Sequence, residues 1–180
     1  MSRPNLVIDN CESVADWTIF GDDTTNLATT TNHVSGTKSI EFDKANGGDN
    51  TKIAGADRAL ASLDLLSHDP DQLFYNFVAD VTIYQSDKTN IDYGFIRIGT
   101  DAANYAEYRF SDTYLVDGKF ARMRTMLKNA FVTGTGCDWS AIDYLAVGVA
   151  FDAEANALAD IAVDNISISR VEQSVAATVE

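Results

Sequence analysis

The sequence predicts an all-β fold, an antiparallel β-sandwich, and three observations carry that expectation. Apolar and polar residues alternate with period two in one segment after another. Short polar turns, many holding glycine, separate those segments at even spacing. The chain has 180 residues, 46% of them hydrophobic, and a domain of this size buries roughly 70% of its unfolded surface. One full core is therefore expected over residues 6–169. Residues 1–5 read as an N-terminal arm and 170–180 as a C-terminal tail.

Leu6 and Ile8 open the first strand, and Trp17–Phe20 forms the next. The polar run from Gly21 to Asn26 turns the chain into a Thr-rich strand at Ala28–Asn32. Val34–Thr37 turns again, and Lys38–Phe42 alternates polar with apolar. Asn46-Gly47-Gly48-Asp49-Asn50 is the strongest turn signal of the chain, followed by a short strand at Thr51–Ala54. Leu60, Leu63 and Leu66 have helical spacing, so Arg58–Leu66 is expected to form one or two helical turns. Phe74–Tyr84 is a long strand whose better core face is Tyr75, Phe77, Ala79, Val81 and Ile83. In Ile91–Ile98, Tyr93, Phe95 and Arg97 stand opposite Asp92, Gly94, Ile96 and Ile98. Tyr105–Phe110 returns beside it, and Met123, Thr125 and Leu127 mark a further strand. Asp138 is placed to cap a single turn over Ser140–Ile142. Tyr144–Phe151 and Ile161–Ser169 close the sheets.

Charge and composition exclude several function classes. Thirteen Lys and Arg face 27 Asp and Glu, a formal net charge of −14, which opposes the phosphate neutralisation on which nucleic-acid binding depends. The longest apolar stretch, Leu145–Phe151, is far short of a membrane span. Two Cys exclude a disulfide scaffold, and Cys11 and Cys137 are expected as free thiols. His33 and His68 stand in turn sequence outside any catalytic motif, so no enzyme activity is expected. The stretch from Asp43 to Asp49 has Ala45 where a calcium loop needs an oxygen ligand, and reads as a turn. Asn165-Ile166-Ser167 matches a glycosylation acceptor but falls in a core strand. Lys119, Arg122, Arg124 and Lys128 form the one basic cluster, a solvated face or a dock for an acidic partner.

Three stretches, in this order, carry a family resemblance. Asp9-Asn10-Cys11-Glu12 precedes Asp16-Trp17 and Gly36-Thr37-Lys38-Ser39-Ile40; Gly134 to Tyr144 forms a loop with one turn; Ala162-Val163-Asp164-Asn165-Ile166 closes the set. Together they resemble the jelly-roll β-sandwich of carbohydrate-binding modules, a galactose-binding-like architecture that also occurs in phage tail and capsid-decorating proteins. The resemblance implies a structural Ca2+ near the meeting of first and last strands, held by Asp9, Glu12, Lys38 (through its carbonyl) and Asp164. Calcium takes 6–8 oxygen ligands, so carboxylates with carbonyls are the right chemistry; turn or edge roles for Asp9 and Asp164 are the alternative.

The aromatic set Tyr75, Phe77, Tyr84, Tyr93, Phe95, Tyr105, Tyr108 and Phe110 is expected mostly to fill the interior. Exposed members would stack on sugar rings, with ligand contacts from Tyr93, Arg97, Tyr108 and Asn104, aided by Arg109 and Asp92. The N-terminus lacks a secretory pattern. On that ground the leading expectation is a non-enzymatic structural protein of a phage virion, made in the host cytoplasm and bound to capsid or tail proteins or to its own copies. The apolar positions Val171, Val175, Ala176 and Val179 suit the tail to docking there. The alternative is a module that binds cell-surface or polysaccharide glycans.

Overall fold

The computed structural model describes residues 6–21, 23–46, 52–67, 77–153 and 156–170. The expectations for the N-terminal arm, the tail beyond Arg170, His68, Phe74, Tyr75 and the glycine turn after Asn46 fall outside these residues; Arg170 itself, expected in the tail, ends the last strand. Strands run in the order β1 (Leu6–Asp9), β2 (Trp17–Phe20), β3 (Thr24–Thr30), β4 (Ser39–Lys44), β5 (Ile53–Leu63) and β6 (Phe77–Gln85). They continue with β7 (Ile91–Asp101), β8 (Asn104–Ser111), β9 (Lys119–Met126), β10 (Phe131–Thr133), β11 (Ile142–Phe151) and β12 (Leu158–Arg170).

Two antiparallel sheets result. The first has the order β3-β4-β12-β6-β9, with β1 also paired to β12, and the second is β10-β8-β7-β11-β5-β2. From β4 onward the chain crosses repeatedly between sheets, which gives the expected jelly-roll sandwich. Period-two alternation supplies the core. Ile40, Phe42, Ala79, Val81, Ile83, Met123, Ile161 and Val163 come from the first sheet, and Ile96, Ile98, Tyr108, Leu145, Val147 and Val149 from the second; all are buried. Trp17 is buried, whereas Trp139 is partly buried against the core.

Several elements differ from expectation: β3 begins at Thr24, inside the expected turn; Leu127 opens a 3-10 turn after β9; and β10 lies outside every expected strand. Arg58–Leu66 is not helical: β5 continues to Leu63. Its register with β11 shifts between Leu63↔Ile142 and Ala59↔Tyr144, so more residues of β5 than of β11 span that interval. Such a bulge breaks the period of two and leaves leucines at a spacing that imitates a helix. Asp138 does cap a turn: its Oδ1 accepts from Ser140 N at 2.9 Å and Ser140 Oγ at 2.7 Å.

The basic cluster is solvent-exposed, and two of its members share one carboxylate. Arg122 and Arg124 lie on the outer face of the first sheet and both bind Asp80, at 2.5 and 3.1 Å. Asp80 is 2% exposed there, so its charge needs these partners. Cys11 and Cys137 are free thiols. Burial pushes both up, Cys137 to about 12, with Asp138 adding to the effect.

Candidate functional site

The outer face of the second sheet carries residues that a merely solvated face would not. Strand register aligns them in three rows. Phe20, Gly55, Gly148, Phe95 and Arg109 form the first row across β2, β5, β11, β7 and β8. Thr18, Asp57, Ala146, Arg97, Glu107 and Phe131 form the second, which reaches β10. Ala59, Tyr144, Gly99, Tyr105 and Thr133 form the third.

The small residues make room for the rings. A Cβ on Gly55 would sit 2.5 Å from the tip of Phe20, and one on Gly148 would sit 2.7 Å from the tip of Phe95. The two rings therefore lie down over bare backbone, with centroids 6.1 Å apart. Arg97 then covers them: its guanidinium lies 5.2 Å from the Phe20 ring, 4.7 Å from Phe95 and 4.9 Å from Tyr105. Arg109 lies 4.5 Å from Tyr93 and 4.3 Å from Phe131. Alternating guanidinium and ring is a favourable cation–π arrangement.

One carboxylate fixes both arginines. Glu107 Oε2 accepts from Arg97 Nε at 2.8 Å, and its Oε1 accepts from Arg109 Nε at 2.6 Å. Its side chain is only 5% exposed, although it stands on an outer sheet face. Burial works against the Arg109 charge, but the hydrogen bond and charge of Glu107 outweigh it and raise the guanidinium pKa. Both bonds to Glu107 use Nε, so the terminal amines of each fork are not spent on this carboxylate. Burial and nearby Glu107 raise Tyr93; burial and Asp57, which accepts from Tyr144 Oη at 3.2 Å, raise Tyr144. Both phenols stay protonated donors across the physiological range.

Beside the first row lies a cavity of about 460 Å3 lined by Phe20, Lys52, Asp92, Tyr93, Arg97 and Phe151, among others. Flat rings, hydroxyl donors, guanidinium donors and carboxylate acceptors thus converge on one open face. That chemistry suits a polyhydroxylated ligand with an apolar ring face.

Among the four sequence-expected contacts, Tyr93 and Arg97 stand on this face. Tyr108 does not: it points into the sandwich with 0% exposure, opposite in parity to Tyr105, Glu107 and Arg109. Asn104 belongs to the end of the sheet, where its Oδ1 accepts from Thr135 N and Oγ1, each at 3.0 Å, and its amide donates to Asp101. It locks two turns together. Sequence reasoning missed Phe20, Glu107 and Phe131. The alternation Tyr105, Glu107, Arg109 was a readable signal for the second; nothing local marks Phe20 and Phe131, which reach the site only through sheet order.

The four residues expected to hold calcium are not assembled as a shell. Glu12 gives Oε1 to Thr37 N at 2.8 Å and Oε2 to Thr37 Oγ1 at 2.7 Å, bonds that lower its pKa. Lys38 N also donates to Glu12. Asp9 gives Oδ1 to the Cys11 amide at 2.6 Å and Oδ2 to Arg58. Asp164 gives Oδ2 to the amides of Val34 and Ser35, leaving only Oδ1 without a partner. Asp9 is already paired with Arg58, and the one free carboxylate oxygen, on Asp164, is too few for a cation that takes 6–8 oxygens. Among the described residues, no three His, Cys, Asp or Glu are grouped to hold a metal.

Comparison with solved structures places this architecture. A family 11 carbohydrate-binding module of a cellulosomal cellulase from Clostridium thermocellum superposes with a TM-score of 0.62 at 12% identity, covering 97% of this chain and 99% of the module. The fold is similar to that of family 11 carbohydrate-binding modules. A second structure of such a module from that organism, in complex with a β-1,3-1,4-mixed-linked tetrasaccharide, gives 0.61 at 13% identity, covering 93% of this chain and 96% of the module. An exo-β-agarase gives 0.56 at 12% identity; the match covers 93% of this chain but only 25% of the enzyme. At these identities the superpositions show a shared fold alone. No protein-family profile matches the chain, and no curated protein matches it.

Proposed function

We propose that this protein is a non-catalytic glycan-binding domain and that the outer face of its second sheet is the binding surface. The observation that carries the reading is the layer of Phe20, Phe95, Tyr93, Tyr105 and Phe131 interleaved with Arg97 and Arg109 and held by Glu107. Phe95 is buried beneath the layer, while Phe131 is exposed and Phe20, Tyr93 and Tyr105 are part-exposed, so these four rings offer contact to a sugar's apolar side beside guanidinium donors to its hydroxyls. The modules that match this chain over nearly the whole of both lengths are named as carbohydrate-binding, one with a mixed-linkage tetrasaccharide bound. The glycan reading therefore displaces the virion reading, for which neither the fold nor its relatives supply an observation.

The ligand class proposed is a soluble or cell-surface polysaccharide, bound without bond cleavage. Electrophoresis through gels containing mixed-linkage β-glucan, xylan or agarose tests it. At least one polysaccharide should retard the wild type, and the variant Arg97→Ala/Tyr105→Ala should migrate as in a blank gel. Equal retardation of both would place binding elsewhere, and no retardation in any gel would count against the reading.

A further inference from the structure

Asp9 and Asp164 are buried close to Cys11, where β1 ends against a bulge in β12. Asp164 is 0% exposed and Asp9 7%. The register of β12 shifts there against both β1 and β6, and Asn165 takes a φ of +58°, which turns the strand over this cluster. Negative potential collects at the spot: burial raises the Cys11 thiol, and the charges of Asp9 and Asp164 raise it further. Buried carboxylates need a counter-charge, and a sandwich could obtain one by binding a divalent cation. Here both oxygens of Asp9 and Oδ2 of Asp164 are spent on backbone amides and on one side chain from the opposite sheet, while Asp164 Oδ1 has no protein partner.

That side chain is Arg58 of β5. It pairs in register with Trp17 on β2 and Leu145 on β11. Its Nη1 donates to Asp9 Oδ2, and its Nη2 reaches Asp16 Oδ2 at 3.3 Å. The guanidinium lies over the Trp17 ring, 5.8 Å from the centroid. Two carboxylates and a ring thus fix it, and its side chain is only 22% exposed. The contact also ties β1 in the first sheet to β5 in the second, the linkage that a bound ion at a strand junction would provide.

We propose that Arg58 is the built-in cation of this junction, and that the domain folds with the chain's own guanidinium where a metal ion would otherwise supply the charge. The proposal is independent of what the outer face binds. It makes the protein indifferent to divalent metal and makes Arg58 important through its charge on Asp9 rather than through packing alone.

Thermal melts of the full chain test it. The wild-type Tm in EDTA should match that in calcium to within about 1 °C, since a ligand that does not bind the native state shifts nothing. Arg58→Met, which keeps an apolar stem over Trp17, should lower Tm by about 10 °C because Asp9 is left buried and unpaired. Arg58→Met/Asp9→Asn should recover at least half of that loss, since the amide needs no counter-charge. A calcium-dependent rise in the wild-type Tm overturns the proposal, as does a double variant no more stable than the single one. Should Arg58→Met fail to fold, a folded double variant supports the proposal and an unfolded one overturns it.

Discussion

Replacing Glu107 by Gln removes one negative charge and almost no volume, yet it should disable the outer face. Glu107 accepts from two guanidinium groups, at 2.8 and 2.6 Å, from a position 5% exposed. Stripping one partner from a fully buried ion pair costs about 3–5 kcal/mol. Here Arg97 is 12% exposed and Arg109 41% exposed, so water recovers part of that, and about 1–2 kcal/mol of stability should be lost. The effect on binding should be larger in proportion. Without the carboxylate, Arg97 and Arg109 repel one another and leave the rings they cover, so a ligand must order both side chains again. Ordering long side chains costs roughly 0.5–1.5 kcal/mol each, which amounts to about 5–150-fold in affinity for the pair. Urea denaturation measures the first quantity, and titration calorimetry with a polysaccharide retarded in the gels measures the second. Unchanged affinity in a folded Glu107→Gln variant would refute the reasoning, because the carboxylate would then hold nothing that the ligand uses.

Tyr108→Phe should leave glycan binding unchanged and keep or raise stability by about 1 kcal/mol in urea, since the buried Oη has no partner. Gly148→Ala should be destabilised by more than about 2 kcal/mol in the same assay, because its Cβ would meet the Ala54 carbonyl oxygen at 2.3 Å. Native protein at pH 8 should react slowly with a thiol reagent and release both cysteines only on unfolding, since burial pushes the Cys137 thiol up to about 12 and Cys11 is fully buried. The folded Cys137 pKa lies above its ordinary value of 9.0, so its contribution to stability is present below pH 9 and fades as pH climbs towards 12. The Tm of wild type should fall over that window more steeply than that of Cys137→Ser.

Much of this was legible because one face of each strand must be buried. Parity alone put Ala79, Val81 and Ile83 inside, and set Tyr93, Phe95 and Arg97 opposite Ile96 and Ile98. The same rule, applied to Tyr105–Phe110, separates Tyr108 from the outward residues, yet an aromatic beside arginine invites a ligand reading. The β5 bulge was not legible: two extra residues there only look like a bulge once β11 lies alongside. Phe20 and Phe131 meet the site from opposite edges of a sheet whose strand order is set by tertiary packing, so no local pattern could join them. Arg58 is likewise ordinary in sequence; its meaning comes from Asp9, 49 residues away on the other sheet.

The central claim is that the outer face of the second sheet binds glycan. Amide chemical shifts recorded while titrating an oligosaccharide of the retarding polysaccharide test it most directly. Saturable shifts should concentrate on β2, β7, β8 and β10, around Phe20, Tyr93, Arg97, Arg109 and Phe131, and should vanish in Arg97→Ala/Tyr105→Ala. Shifts concentrated instead on the first sheet, around Asp80, Arg122 and Arg124, would contradict the account.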